Sequence, residues 1–160
     1  MSEHNGIHRF VLGKNSKVKY VEKHIGVVEG TGERIINPQT IIEAGENSYI
    51  EMETTQLKGV DSTIRTTKAT AEAGATVIVK EKILTHGKQY AETQFEIDLN
   101  GEGSSANLIS RSVAKDNSKQ KFVSVINGNA KCMGHSECDA IIMDNGVVTA
   151  LPEITANNVD

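Results

Sequence analysis

Gly45-Glu46-Asn47-Ser48-Tyr49-Ile50-Glu51-Met52-Glu53 reads as a tight turn followed at once by an alternating apolar and polar run. Glycine and asparagine tolerate positive φ, so the first four residues suit a sharp corner. Ile50 and Met52 alternate with Glu51 and Glu53, which gives a strand one buried face and one wet face. The pattern recurs on both sides. Gly13-Lys14-Asn15-Ser16 precedes Val18, Gly74-Ala75-Thr76 precedes Val77, and Gly101-Glu102-Gly103-Ser104 precedes Ala106 and Leu108. The corners are thus counted from Gly13 to Gly45, to Gly74 and to Gly101. A corner repeating about every 30 residues before a β-run predicts stacked coils, because one coil cannot bury its apolar face alone. The spacing by itself leaves an antiparallel sandwich with glycine turns open.

The remaining chain agrees with an all-β fold. Phe95, Ile97 and Leu99 alternate with Gln94, Glu96 and Asp98, and Val18 and Tyr20 with Lys17 and Lys19. Val77 to Val79, Val123 to Ile126 and Ala140 to Met143 are short runs with apolar residues on both faces. Aromatic residues make up only 4% and tryptophan is absent, which suits thin, regular stacking of Val, Ile, Thr, Ala and Leu. Thr67 to Ala75 comes nearest to a helical pattern, but Gly74 closes it and Thr67 and Thr70 weaken it. The 160 residues suit one domain, 1–160, and no linker divides them.

Several function classes are disfavoured. The formal net charge is −4 and no basic stripe is visible, which argues against nucleic acid. Arg111, Lys115, Asp116, Lys119 and Lys121 read as a solvated loop. No stretch is apolar for long enough to cross a bilayer as a helix, and Met1 to Arg9 lacks the apolar centre of a signal peptide. A cytoplasmic, reducing home is therefore expected, with Cys132 and Cys138 as free thiols or metal ligands. Gly30-Thr31-Gly32 resembles a phosphate loop, but no Gly-Lys-Ser/Thr follows, so nucleotide binding is discarded.

Lys131-Cys132-Met133-Gly134-His135-Ser136-Glu137-Cys138-Asp139 holds the dense group of metal-type ligands. Two thiols and an imidazole suit soft or borderline ions, and a turn would bring Cys132, His135 and Cys138 together. A strand from Asp139 to Met143 would put Cys138 at its start. Three ligands do not complete a tetrahedral site, and a cysteine is often only a small buried hydrophobe. A further reading is a thiol enzyme in which His135 lowers the pKa of Cys138. No oxyanion-hole motif accompanies it, and the chain is read as a non-enzyme. His24 and His86 read as surface or corner residues, and His4 and His8 as part of a frayed N-terminus. Asn127-Gly128-Asn129 reads as a turn only.

Taken together, Gly101 to Ser105, Ser110-Arg111-Ser112-Val113-Ala114-Lys115-Asp116, Cys138-Asp139-Ala140-Ile141-Ile142-Met143 and Pro152-Glu153-Ile154 resemble the core domain of the SufB/SufD family. Gly30 to Pro38 and Thr85-His86-Gly87 fit the same family. The resemblance implies a right-handed parallel β-helix flattened into two sheets. It implies a scaffold role in the SUF system of iron–sulfur cluster assembly, with a transient cluster and none expected on the isolated domain. Implied partners are a SufB/SufD-type subunit or a second copy, a SufC-type ATPase and a sulfur donor system. Cys138, followed by Asp139, falls on the family's Cys-Asp position, whose thiol is implicated in cluster formation at a subunit interface. That makes the chain look SufB-like; the alternative is a structural SufD-like partner that ligates no cluster. The family's later His-Glu-Ala segment and C-terminal helical region do not follow, so the domain is expected to be truncated at its C-terminus. An uncovered strand edge there predicts self-association.

Overall fold

The computed structural model describes residues 2–26 and 32–158. Gly30 and Thr31, from the phosphate-loop-like run, lie outside them. Thirteen strands follow one another: β1 Ser2–His4, β2 Ile7–Leu12, β3 Lys17–Ile25, β4 Arg34–Ile36, β5 Gln39–Ala44, β6 Tyr49–Lys58 and β7 Ser62–Ala71. They continue as β8 Thr76–Thr85, β9 Tyr90–Leu99, β10 Ser105–Ala114, β11 Lys119–Gly128, β12 Met133–Ile142 and β13 Val147–Ala156. Every pairing is parallel. One sheet runs β1-β4-β7-β9-β11-β13, with β2 and β5 attached; the other runs β12-β10-β8-β6-β3. The chain climbs one sheet, turns a corner and returns on the other, giving a β-solenoid of about 5 turns.

Register fixes the rise of the coil. Lys17 pairs with Tyr49, Tyr49 with Thr76, Thr76 with Ser105 and Ser105 with Met133, so each pairing spans one complete coil. The positive-φ corner residues keep the same beat. Asn15, Asn47, Gly74 and Gly103 have φ of 63°, 54°, 67° and 74°. Glycine-to-glycine counting therefore misaligns one corner: Gly74 corresponds to Asn47 and Gly103, not to Gly45 and Gly101. The third corner position needs the left-handed backbone, and Asn supplies it as well as Gly does. Gly101 serves close approach instead, since a Cβ there would lie 1.9 Å from the Ala73 nitrogen. Ser16, Ser48 and Ser104 close their corners by donating to the carbonyl three residues back, each at 2.6 Å.

Strict alternation of buried and exposed residues along β7 to β10 follows from the two-residue period of a strand. One half of the interior is apolar. Ile50, Met52, Val77, Val79 and Leu108 begin their strands in one sheet and pack with Ala69, Ala71, Ile97, Leu99 and Ile126 near the ends of strands in the other. The second half is lined by polar side chains: Thr54, Gln56, Arg65, Glu81, Thr93, Ser110 and Gln120 are all buried. Hydrogen bonds cross it, with Thr93 Oγ1 donating to Glu81 at 2.5 Å and Gln120 Nε2 to Thr85 Oγ1 at 2.9 Å.

Three expectations are corrected here. The strand holding Cys138 starts at Met133, so Cys138 sits in mid-strand and Met143 in the following turn. Arg111 lies within β10 and Lys119 and Lys121 within β11, on strands and not in a loop. His8 and His24 also lie on strands, β2 and β3, and both are partly buried.

Candidate functional site

Register places five interior residues in one column across the five-stranded sheet: Glu22, Thr54, Glu81, Ser110 and Cys138. Cys138 stands on β12, at one edge of that sheet. Its side chain packs against the core and is partly buried. A cavity of about 10 Å³ adjoins it, lined among others by Glu81, Thr93, Ser110, Ser112 and Gln120. Ile83, Ala91, Phe122 and Val148 line it too, so the sulfur borders both polar and apolar side chains. Burial first, then the charges of Glu81 and Asp139, push its thiol pKa up.

The alternation of β12 separates the residues expected to share a metal. Gly134, Ser136 and Cys138 take one face, His135, Glu137 and Asp139 the other. His135 is exposed and meets Glu137 at 3.3 Å. Cys132 precedes the strand and lies beside Gly128, where a Cβ would come within 3.0 Å of its Sγ. Extended backbone between them puts Cys132 roughly 20 Å from Cys138 along the chain direction. A turn gathering Cys132, His135 and Cys138 does not form, because the segment is extended. Among the described residues, no group of three or more His, Cys, Asp or Glu side chains is placed to hold a metal ion. His135 also cannot activate Cys138 across the strand, and the thiol is raised where that reading needs it lowered. Asp139 points outward, where a hydrogen bond with Glu137 raises its pKa and lowers that of Glu137.

Sequence reasoning missed the charged interior. Arg65 Nη1 lies 3.6 Å from Glu22 Oε2. His24 Nε2 pairs with Glu22 Oε1. Burial raises the Glu22 pKa, but the His24 hydrogen bond and the charges of Arg65, His24 and His8 outweigh it and leave the pKa lowered. Glu81 is fully buried and accepts from Thr93 Oγ1 and, at 2.9 Å, from Ser110 Oγ. Burial dominates there and raises its pKa, against Arg65 and the two hydroxyl donors. The signal was present in the alternation: Glu81 stands between Val79 and Ile83, and Arg65 between Thr63 and Thr67, all on the inward face.

No helix among the described residues is long and apolar enough to cross a membrane. The sequence matches the family described as SUF system FeS cluster assembly, SufBD core domain, over residues 2–160. It is similar to the iron–sulfur cluster assembly SufBD family protein of Methanocaldococcus jannaschii, 27% identical over 156 residues, covering 96% of this chain and 48% of the relative. A SufBD family protein of Archaeoglobus fulgidus is 27% identical over 154 residues, covering 96% and 41%. One from Methanothermobacter thermautotrophicus is 27% identical over 165 residues, covering 94% and 37%. The chain thus spans about half or less of the length of these relatives. No solved structure matches. A parallel solenoid carrying the Cys-Asp segment, matched along 2–160, makes this chain a member of the SufBD core family of iron–sulfur cluster assembly.

Proposed function

We propose that this domain is a scaffold on which an iron–sulfur cluster forms as transient cargo, with the Cys138 thiolate as its own contribution to the nascent cluster at a subunit interface. The observation that carries this reading is Cys138 itself, a partly buried free thiol followed by Asp139 on β12. A single thiolate leaves the other ligands to a second subunit, either a SufB/SufD-type partner or a second copy. An incomplete site of that kind lets a cluster leave, whereas four cysteines from one chain would retain it. The raised thiol pKa fits a sulfur that stays protonated until a metal ion displaces its proton. In the full-length setting a SufC-type ATPase and a sulfur donor system serve the scaffold, in a reducing cytoplasm where both thiols stay free.

The test replaces Cys138 with Ser in this chain, assayed together with a SufB/SufD-type partner subunit. Reconstitution with ferrous iron and sulfide is expected to lose most of the cluster absorbance. Unchanged absorbance would sink the ligand role and leave the structural, SufD-like reading.

A further inference from the structure

We infer that the outer face of the five-stranded sheet is a docking groove for an amphipathic α-helix of a partner protein, one that carries acidic residues beside its apolar stripe.

Register builds the groove. Leu84, Val113 and Ile141 stand in line on neighbouring strands, all on the outward face. Leu57 on β6 lines the same groove, whose volume is about 530 Å³. Leu57 and Ile141 are 42% and 63% exposed. Neighbouring outward columns of this sheet are mixed: Glu51, Ile78, Asn107 and His135 form one, and Glu53, Lys80, Ile109 and Glu137 another. The outer face of the other sheet is mixed as well, with Lys68, Glu96 and Val125 in register. Scattered exposed apolar residues need no partner, but a contiguous line of them marks a contact surface.

Width and pitch select a helix. Stacked sheets bury broad apolar faces, whereas this line is one residue wide, so a second solenoid would have little to bury. Strands repeat about every 4.8 Å along the line, and a helix brings one face round about every 5.4 Å. Four rungs therefore meet helix positions i, i+4, i+7 and i+11 with a mismatch of about 2 Å over the whole length. Such a helix lies along the solenoid axis with its apolar face in the groove.

Charge selects which helix. The column beside the apolar line reads Lys23, Thr55, Lys82, Arg111 and Asp139. Lys23, Lys82 and Arg111 are exposed. Lys82 reaches Glu53 only at 3.9 Å, and Arg111 forms no ion pair among the described residues. Asp139 opposes them at the β12 end alone. The row is net positive in a chain whose formal net charge is −4, so it steers an acidic flank to this side and disfavours a basic one. Cys138 lies on the opposite face of β12 from Asp139 and Ile141, which makes the groove independent of the cluster reading.

The test is fluorescence anisotropy with the 160-residue chain and a labelled synthetic helix. The peptide has about 14 residues, with leucines at i, i+4, i+7 and i+11 and glutamates along one flank. Saturable binding is expected, and a twin peptide with lysines in place of the glutamates should bind roughly tenfold more weakly or worse. Val113→Thr combined with Ile141→Thr is expected to weaken the glutamate peptide by a similar factor. Arg111→Glu is expected to abolish the preference between the twins, and this exposed position keeps the test standing should the threonine pair fail to fold. Absent saturable binding, equal binding of the twins, or wild-type behaviour in both variants overturns the inference. Self-association in sedimentation, or attachment to phosphatidylserine vesicles, that the threonine pair abolishes would assign the groove to a second copy or a lipid surface and overturn it equally.

Discussion

Arg65 and Glu22 meet inside the solenoid, 3.6 Å apart across the two sheets, with side chains 4% and 11% exposed. Arg65 also acts on Glu81, so one guanidinium serves two interior carboxylates. Removing it leaves both without that cation. Arg65→Met is expected to destabilise the fold by roughly 3 kcal/mol or more, measured by urea denaturation. A loss under about 1 kcal/mol would show that the pair contributes little.

Glu22 and Glu81 respond to pH in opposite directions. The Glu22 pKa is lowered in the fold, so its contribution is present above the ordinary carboxylate range and is lost as pH falls through the folded value. The Glu81 pKa is raised, so its contribution is present below the ordinary range and is lost as pH rises toward the folded value. Glu81→Gln is therefore expected to gain stability relative to wild type as pH rises from about 4 to 7, with the difference shrinking in acid. Melting temperatures compared across that range check the sign.

Asn157 Nδ2 donates to Asn129 Oδ1 at 2.7 Å, and Asn129 Nδ2 to Asn100 Oδ1 at 2.8 Å. This ladder runs up one corner of the stack. Asn129→Ala breaks both rungs, and a loss of about 1 kcal/mol in chemical denaturation is expected.

Gly101→Ala tests the tight corner. The new Cβ would meet Ala73 N at 1.9 Å and Glu72 C at 2.2 Å, both backbone atoms that cannot rotate away. A cost of roughly 3 kcal/mol or more is expected, while Gly13→Ala, with nothing within 4 Å, should be far milder.

The thiol reading has its own check. Burial raises the Cys138 pKa, so iodoacetamide should label it with a midpoint above the ordinary thiol value of about 8.5. His135→Ala should leave that midpoint where it is. A midpoint below about 7.5, moving with His135, would revive the thiol-enzyme reading.

Much of the fold was legible in the sequence because a stacked coil repeats its corner chemistry. Asn15, Asn47 and Gly103 each precede a serine and a strand, and the beat between them can be read from one chain. What spacing could not supply was the register. Gly74 looks like Gly101 in sequence, but the backbone treats it as Gly103. The same uncertainty hid the site. With Cys138 taken as the start of a strand, the parity of its neighbours was undefined, so His135 and Cys132 seemed close. Only a fixed register shows that Glu81, far earlier in the chain than Cys138, shares its column. Glu81 and Arg65 were passed over because charged residues are ordinarily solvated.

The stacking of β12 on β10 and β10 on β8 makes the solenoid a ruler. Each coil advances the interior column by one strand spacing, about 4.8 Å, and keeps every residue on its face. Duplicating one whole coil between Glu81 and Ser110 would move the sulfur one notch along the axis without turning it outward. The distance between carboxylate and thiol is therefore counted in whole coils, and a slip of one position in register would turn the thiol to the outer surface.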